Sequence, residues 1–574
     1  MKITRRVVSS ECGLPDFIHP VMRRVYAARN ISSMRELDYS LTNLLPFGML
    51  KNIDAAADLL IDAIHADKRI LIIADYDADG ATACAVALRG LCLLGAKQVV
   101  YLVPDRVKHG YGLSTDVARL ALKSEPDLLV TVDNGISSLA GVDFARNAGV
   151  DVLITDHHLP GKELPAASVI VNPNQPGDRF PSKCIAGVGV MFYLLLAVRA
   201  RLRDTNWFAA QELQVPNLAP LLDLVALGTI ADVVELDFNN RILVRQGLVR
   251  IRARRCSQGV MALIRVAGSV PEKITSADLG FLLGPRLNAA GRMADMRLGI
   301  ECLLTDNFSH AVSLALQLER FNRERKHVQA EMQEEAEAHL RRIAEPDQGE
   351  LPFGVCLYDA GWRQGIVGVL AGRIKELVNR PVIVFASAGE GLLKGSGRSL
   401  PGIHLKDVLE ALAVQHPRLI ERFGGHAMAA GLTIREADYA EFKELFDAQV
   451  RSSTAGRLPG AEIVTDGKLA RADISLELAE EIENAGPWGQ GFPEPLFDDV
   501  FSVAGTRLVG GKHLKLKLIV EGQEQPVDAI SFNTDENAVA ADAENLRMVY
   551  QLAVNRYNGY QTPQLIIRHI QPSE

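Results

Sequence analysis

The sequence predicts an α/β protein: a parallel-sheet domain, joined by a long helix to a smaller α/β domain, with a small β-barrel at the C-terminal end. Three observations predict it. From about residue 50, short β-branched runs alternate with helical stretches, the rhythm of a parallel sheet covered on both faces. Residues 307–344 lack Gly and Pro and are dense in Glu, Arg, Gln and Ala, which reads as one helix. Residues from about 458 carry short alternating strands separated by turn signals, the pattern of a barrel.

The bulk numbers bound the answer. A chain of 574 residues is too long for one core, so several domains are expected. With 48% hydrophobic and 23% charged residues it has an ordinary globular composition. A net charge of −8 carries no global basic signature, so any nucleic-acid binding must rest on local patches. The seven cysteines form no Cys-x-x-Cys, which argues against a structural zinc site or a disulfide framework and fits a reducing compartment. Met1–Arg6 is basic but no apolar signal core follows, and no apolar stretch is long enough to span a bilayer. The expected location is the cytoplasm, with no membrane contact.

Residues 1–49 form a polar lead-in whose structure the sequence does not give, and residues 50–270 form the first domain. Its candidate strands are Ile70–Ala74, Val99–Pro104, Leu128–Val132, Val152–Thr155 and Val169–Val171, with helices over Thr115–Leu122 and Ser137–Ala148 among those between them. The first strand stops in Asp75-Tyr76-Asp77-Ala78-Asp79-Gly80, and a helix is predicted from Ala81 to Leu94. Three carboxylates at a strand end are costly unless a cation or basic partner joins them. An EF-hand loop would need glutamate at its twelfth position, where this chain has Val86. A solvated acidic turn is the other reading of the motif alone. The neighbouring strands decide against it: one runs into Asp133-Asn134-Gly135 and another into Asp156-His157-His158, and a later apolar segment, Leu221–Ile230, ends in Ala231-Asp232. Parallel strands share one carboxyl edge, where open α/β sheets bind ligands. Mixed carboxylate and imidazole groups suit Mn²⁺ or Mg²⁺, and there are enough of them for two ions and the hydrolysis of phosphoryl esters or anhydrides.

These four motifs, in this order and spacing, resemble the DHH phosphoesterase superfamily, which includes RecJ exonucleases, phosphodiesterases of short oligonucleotides and cyclic dinucleotides, and manganese pyrophosphatases. The resemblance implies that Asp77, Asp79, Asp133, His157 and Asp232 are metal ligands, with Asp133 bridging the two ions. It makes Asp75 a further ligand or a supporting acid, lets Asp156 orient the histidines, and puts His158 on the substrate phosphate or leaving oxygen. Arg106 and Tyr111 join the expected substrate contacts.

Arg241, Arg245, Arg250, Arg252, Arg254 and Arg255 make an arginine-dense stretch, either a solvated helix face or a path for a polyanion. Residues 271–349 hold a phosphate-contacting segment and the long helix. In Gly284-Pro285-Arg286-Leu287-Asn288-Ala289-Ala290-Gly291-Arg292-Met293, small residues would let Arg286, Asn288 and Arg292 approach a phosphate closely. This stretch resembles a signature of the RecJ branch. The helix, at about 1.5 Å per residue, would exceed 50 Å and hold two domains across a cleft; no sustained apolar heptad supports a coiled coil instead.

Residues 350–450 read as the second α/β domain, with glycine-rich turns that suit anion binding through backbone N–H groups. They resemble the DHHA1 substrate-binding domain. That match implies that Ser396, Arg398, Gly424, Gly425 and His426, with Arg286, hold the terminal phosphate and nearby backbone. One position departs: the family pattern Trp-His-Gln-Gly has Arg363 in place of His, a group that can contact phosphate but does not titrate near neutral pH.

Arg451–Gly456 has a linker composition, and residues 458–574 follow as an OB-type barrel with turns at Gly510-Gly511 and Asn558-Gly559. In His513–Leu518 the leucines share one face and His513, Lys515 and Lys517 the other. With Arg556, Tyr557 and Tyr560 they offer the cations and rings of a single-strand-binding barrel, against the plainer reading of a wet lysine face. The whole pattern resembles a RecJ exonuclease. It implies two-metal, 5′→3′ hydrolysis of single-stranded DNA to 5′-mononucleotides in DNA repair and recombination, alongside a single-stranded-DNA-binding protein and a helicase. The alternatives are a phosphodiesterase of oligoribonucleotides or cyclic dinucleotides, and a non-catalytic single-strand-binding scaffold.

Overall fold

A computed structural model of the chain describes residues 1–7, 13–105, 108–109, 111–343, 351–520, 525–534, 545–557 and 559–573; Cys12, Arg106, Ala344 and Asn558 fall outside these. The chain divides into two units. The larger comprises residues 3–291, 295–319 and 464–574, and the smaller residues 1–2, 292–294 and 320–463.

The larger unit is built on a five-stranded parallel sheet in the order Val99–Leu102, Ile70–Ala74, Leu128–Val132, Asp151–Thr155, Val169–Val171. Within Ile70–Ala74 alternate residues face opposite ways. Ile70, Ile72 and Ala74 enter one core, while Leu71 and Ile73 enter a second with Val117, Ala118, Val142 and Ala145 of the helices behind the sheet. That is why these strands read as continuous apolar runs rather than alternating ones.

The elements refine the expectation at several points. The Val99 strand ends at Leu102, the last residue in register with Ile73, so Pro104 lies beyond it. The helix after the acidic motif starts at Ala78, because the Asp77 side chain caps it by accepting from Gly80 N at 3.0 Å. Leu222–Ala231 is a helix, so the fourth acid, Asp232, arrives as a helix C-cap. The lead-in also has structure: Pro20–Ala27 is a helix burying Val21, Met22, Val25 and Tyr26.

The C-terminal barrel is closed, in the order Phe497–Val509, His513–Val520, Val527–Phe532, Tyr560–Pro572, Leu546–Tyr557. Gly510 and Gly511 turn its first hairpin with φ of 61° and 69°, a conformation glycine adopts without strain. The barrel is no appendage: Phe497, Leu514 and Tyr550 belong to the same continuous core as Ile70 and Leu128.

In the smaller unit the sheet runs Arg422–Gly425, Ala429–Arg435, Leu392–Arg398, Val382–Gly389, Val355–Tyr358. The expected long helix spans Phe308–Ile343, 36 residues and roughly 54 Å at 1.5 Å per residue. The stretch read as a linker is helical through Ser453, since Tyr439–Ser453 buries Phe442, Phe446 and Val450. Among the described residues no helix is long and apolar enough to cross a membrane.

Candidate active site

At the carboxyl edge of the main sheet the acids come together. One oxygen or nitrogen from each of Asp75, Asp77 and Asp133 lies within 4.8 Å of the others, and the same holds for Asp79, His157 and Asp232 and for Asp133, His157 and His158. His157 Nε2 is 3.1 Å from Asp133 Oδ1 and 3.4 Å from Asp232 Oδ2. Neither His157 Nε2 nor Asp133 Oδ1, both buried, makes a hydrogen bond among the described residues.

Each candidate ligand is placed by its own device. Asp133 sits in the left-handed region at φ 63°, a conformation Asp tolerates better than most residues and one that recurs at functional sites. Asn134 holds that turn by donating from Nδ2 to the carbonyls of Ile73 and Val132. Asp79 is buried at the start of its helix, and its two oxygens accept from Gly187 N at 2.6 Å and Val188 N at 3.0 Å. These amides open the Gly187–Asp204 helix, whose N-terminal dipole favours negative charge. The sequence reading missed Gly187, whose signal was a run of small residues before an apolar helix. A Cβ there would come within 2.6 Å of Asp133 Oδ1.

Asp156 has no oxygen to spare. Oδ1 accepts from the backbone of His157 and His158 and lies 2.7 Å from His158 Nδ1, while Oδ2 accepts from Ile136 N. Asn172 and Asn174 hold the carbonyls of His158 and His157. Tyr111 OH donates to the Asp133 carbonyl and lies 3.1 Å from His158 Nδ1.

The electrostatics follow from crowding. Burial and then the neighbouring acids push Asp79 and Asp133 well above the ordinary carboxylate range, and burial raises Asp232. Burial lowers His157 and also opposes charge on His158, but there the Asp156 hydrogen bond and charge prevail and raise it to about 9. Burial likewise works against the Asp156 carboxylate, and its His158 partner more than compensates, holding it below the usual range.

Comparisons with known proteins join this geometry to a family. The chain matches the DHH family, N-terminal domain, over residues 69–229, the DHHA1 domain over 352–452 and the RecJ OB domain over 465–569. It is 48% identical over 570 residues to the single-stranded-DNA-specific exonuclease RecJ of Dickeya dadantii, covering 99% of both chains. It is 46% identical over 574 residues to that of Escherichia coli, covering 100% of this chain and 99% of that one. The chain belongs to the RecJ family. Its fold matches the crystal structure of RecJ from Thermus thermophilus in complex with Mn²⁺ with a TM-score of 0.81 at 30% identity, over 100% of this chain and 80% of that one. The Mg²⁺ complex of the same protein matches with a TM-score of 0.76 at 28% identity, over 100% and 79%.

The Gly284–Met293 helix lies against the Asp75–Gly80 segment. Asn288 Oδ1 accepts from Ala78 N at 2.8 Å, and a Cβ on Gly291 would strike the Tyr76 carbonyl. Arg286 is buried, paired with Glu319 at 2.8 Å and bonded to the Leu282 carbonyl, so its guanidinium is engaged within the larger unit. In the smaller unit Arg292 donates to the Gly365 carbonyl, and Arg363 pairs with Glu324 at 3.4 Å.

The DHHA1 sheet sets the expected phosphate contacts in register. Gly424, Gly431 and Ser396 are cross-strand partners, and so are Ala429 and Arg398. His426 N donates to the Ala429 carbonyl. Glycine and alanine on the middle strand leave this face low. Arg398 reaches Ser396 Oγ, and a Cβ on Gly368, in the first turn of the Val367–Val378 helix, would lie 2.9 Å from Ser396 Oγ and 3.1 Å from Arg398 Nη2. Gly425, at φ 140°, has no room for a Cβ, which would lie 2.4 Å from the Ala429 carbonyl.

On the barrel the alternation is as expected: Leu514, Leu516 and Leu518 are buried, Lys515 and Lys517 exposed. Lys517 pairs with Asp528 and Arg556 with Glu483, while Tyr557 and Tyr560 stand opposite one another, both exposed. The arginine-dense stretch is structural for the most part. Arg241 is buried against the rings of Phe492, Phe238 and Tyr39, Arg245 bonds the Asn484 carbonyl, Arg252 the Ile274 carbonyl, and Arg254 pairs with Glu272. Arg106 lies outside the described residues, so its expected contact has no structural account here.

Proposed function

We propose that the chain is a metal-dependent, single-stranded-DNA-specific exonuclease that works 5′→3′, releases 5′-mononucleotides and serves DNA repair and recombination. One observation carries the reading: five acids and two histidines, three of the acids buried, crowd one sheet edge of a chain whose near-full-length relatives are named single-stranded-DNA-specific exonucleases. The donor set fits Mn²⁺ or Mg²⁺, since it is all carboxylate and imidazole, its carboxylates repel one another without a cation, and it includes two buried atoms that make no hydrogen bond among the described residues. Asp75, Asp77 and Asp133 would hold one ion and Asp79, His157 and Asp232 the other. When bound, the ions supply Lewis-acid stabilisation of charge on the phosphoryl oxygens and a competent hydrolytic water.

The protein's own side chains do the rest. Asp156 would fix the His158 ring, and His158 would donate a hydrogen bond to a phosphate oxygen. Ser396, Arg398 and His426 would take the terminal 5′-phosphate on their low, glycine-flanked face, which is the basis of the proposed polarity. Lys515, Lys517, Arg556 and Tyr557 would follow the strand beyond. A single-stranded substrate calls for partners that open duplexes and cover single strands, a helicase and a single-stranded-DNA-binding protein. The proposed setting is the cytoplasm, which suits the six described cysteines, all free.

The test is one assay with end-labelled single-stranded DNA, duplex DNA, RNA and a cyclic dinucleotide, each with Mn²⁺, Mg²⁺ or chelator. We expect mononucleotides from the 5′ end of single-stranded DNA only with metal, no hydrolysis by Asp133→Ala despite retained DNA binding, and loss of preference for 5′-phosphorylated ends in Arg398→Ala. Cleavage that survives Asp133→Ala would sink the metal-site assignment, and label released first from the 3′ end would sink the polarity.

A further inference from the structure

Phe281 is 87% exposed, the most exposed aromatic side chain among the described residues. It lies at the centre of a π-helical turn, Leu279–Leu283, between the Ser276–Asp278 turn and the Gly284–Met293 helix. Single π turns are uncommon and recur at functional sites. An exposed phenylalanine loses hydration free energy that burial would recover, so the fold gains nothing from it there.

The surroundings place this turn beside the helix that ends in Asp232. A Cβ on Gly280 would lie 3.1 Å from the Ile230 side chain, and one on Gly284 3.1 Å from Ala231 Cβ. The turn therefore rests on the last residues of the Leu222–Ala231 helix, whose C-cap is Asp232. Phe281, Pro285 and Asn288, spaced i, i+4, i+7, share the less buried side of the segment, and Asn288 accepts from Ala78 N next to Asp77. On the other flank of Asp232, Val233 is 65% exposed at φ 62°. A β-branched residue in that region is strained where glycine would not be, so an apolar side chain is kept there against the backbone's preference. Phe281 and Val233 are thus exposed apolar side chains on the two segments that flank the helix end at Asp232.

We infer that Phe281 is a base-stacking platform, whose ring takes the face of a nucleobase of the strand being degraded, with Val233 against its edge. The inference rests on the exonuclease reading and adds to it a contact that discriminates strand state. Every base has a π-face, so stacking tolerates any sequence. A base inside a duplex has both faces already covered, so a paired strand offers Phe281 a face only at its terminal pair, whereas a single strand offers one at every base.

The experiment uses the full chain with Mn²⁺, initial rates of first-nucleotide release from a single-stranded oligonucleotide, and a series carrying one abasic nucleotide at successive positions. Phe281→Ala should raise KM about tenfold, in line with the loss of one base–aromatic stack, with kcat within about twofold. Phe281→Trp should keep the wild-type KM. Wild type should show a KM penalty at one abasic position that Phe281→Ala no longer shows. Wild type that degrades the strand while Phe281→Ala matches its KM, or keeps the same abasic penalty, overturns the inference alone. Wild type that leaves single-stranded DNA intact overturns the exonuclease reading, and this inference with it.

Discussion

Asp498 is a buried carboxylate that is fully answered, in contrast to the metal-site acids. Its two oxygens take Arg5 Nε and Nη2 at 3.0 Å each, Thr465 Oγ1 at 2.6 Å and Arg547 Nη2 at 2.8 Å. Burial alone would raise its pKa, but these bonds outweigh burial and hold it below the ordinary range. Because the folded value lies below the unfolded value of about 3.9, the stabilisation is complete above that pH and is lost as pH falls through the folded value. Asp498→Ala should cost about 3 kcal/mol at pH 7, the low end for breaking a buried pair, since Arg5 is half exposed. Denaturant titrations should show that deficit narrowing as pH drops below about 4; a deficit independent of pH would refute the linkage. Arg241 makes the complementary point. In sequence it is one cation among six, and only its burial against three rings separates it from a surface charge.

At the scale of elements, two helices owe their close approach to glycine. A Cβ on Gly228, in the Leu222–Ala231 helix, would lie 2.2 Å from Thr82 Oγ1 and 2.8 Å from Asp79 Oδ1 of the facing Ala78–Leu93 helix. Those helices carry Asp79 and Asp232, so any shift there moves two members of one candidate metal-binding triad. Gly228→Ala should cost about 1–3 kcal/mol in stability from overpacking. It should weaken Mn²⁺ binding about 10–100-fold, the range seen when groups that orient metal ligands are disturbed. Calorimetric titration of the metal-free variant with Mn²⁺ reads this directly, and unchanged affinity would show that the helices repack without moving Asp79.

At the scale of the molecule, the barrel and the catalytic sheet share one core. Tyr26 stacks on Trp488 at 6.5 Å, Arg29 is paired with Asp466 in a fully buried contact, and Ser276 Oγ donates to the Trp488 carbonyl. The smaller unit has cores of its own, one around Phe385, Phe442 and Phe446 and one around Leu370 and Val384. Scanning calorimetry should therefore resolve two unfolding blocks, with barrel and catalytic sheet melting together although residues 320–463 separate them in the chain. Tryptophan fluorescence of a Trp362→Phe variant assigns the larger block, since Trp488 and Trp207 lie in it and Trp362 in the smaller unit; a barrel that melts separately from the sheet would contradict the shared core.

The strands were legible because their residues are buried on both sides, so apolar runs bounded by polar residues mark them almost to the residue, as in Ile70–Ala74 and Leu128–Val132. The acids were legible because parallel strands share an edge, which brings Asp75, Asp133 and His157 together by topology alone. By itself, then, the sequence determined the layered sheet, the long helix, the alternation on the barrel and the chemistry of the metal-site residues, all of which follow from local periodicity or residue type. Tertiary structure alone decided the rest. It set Gly187 against Asp133, occupied both oxygens of Asp156, engaged Arg286 with Glu319 and left Phe281 bare on a turn packed against Ile230 and Ala231. The reason is physical: a side chain's partners depend on contacts between segments distant in sequence, and no local pattern records whether an arginine meets a carboxylate, a ring or a phosphate.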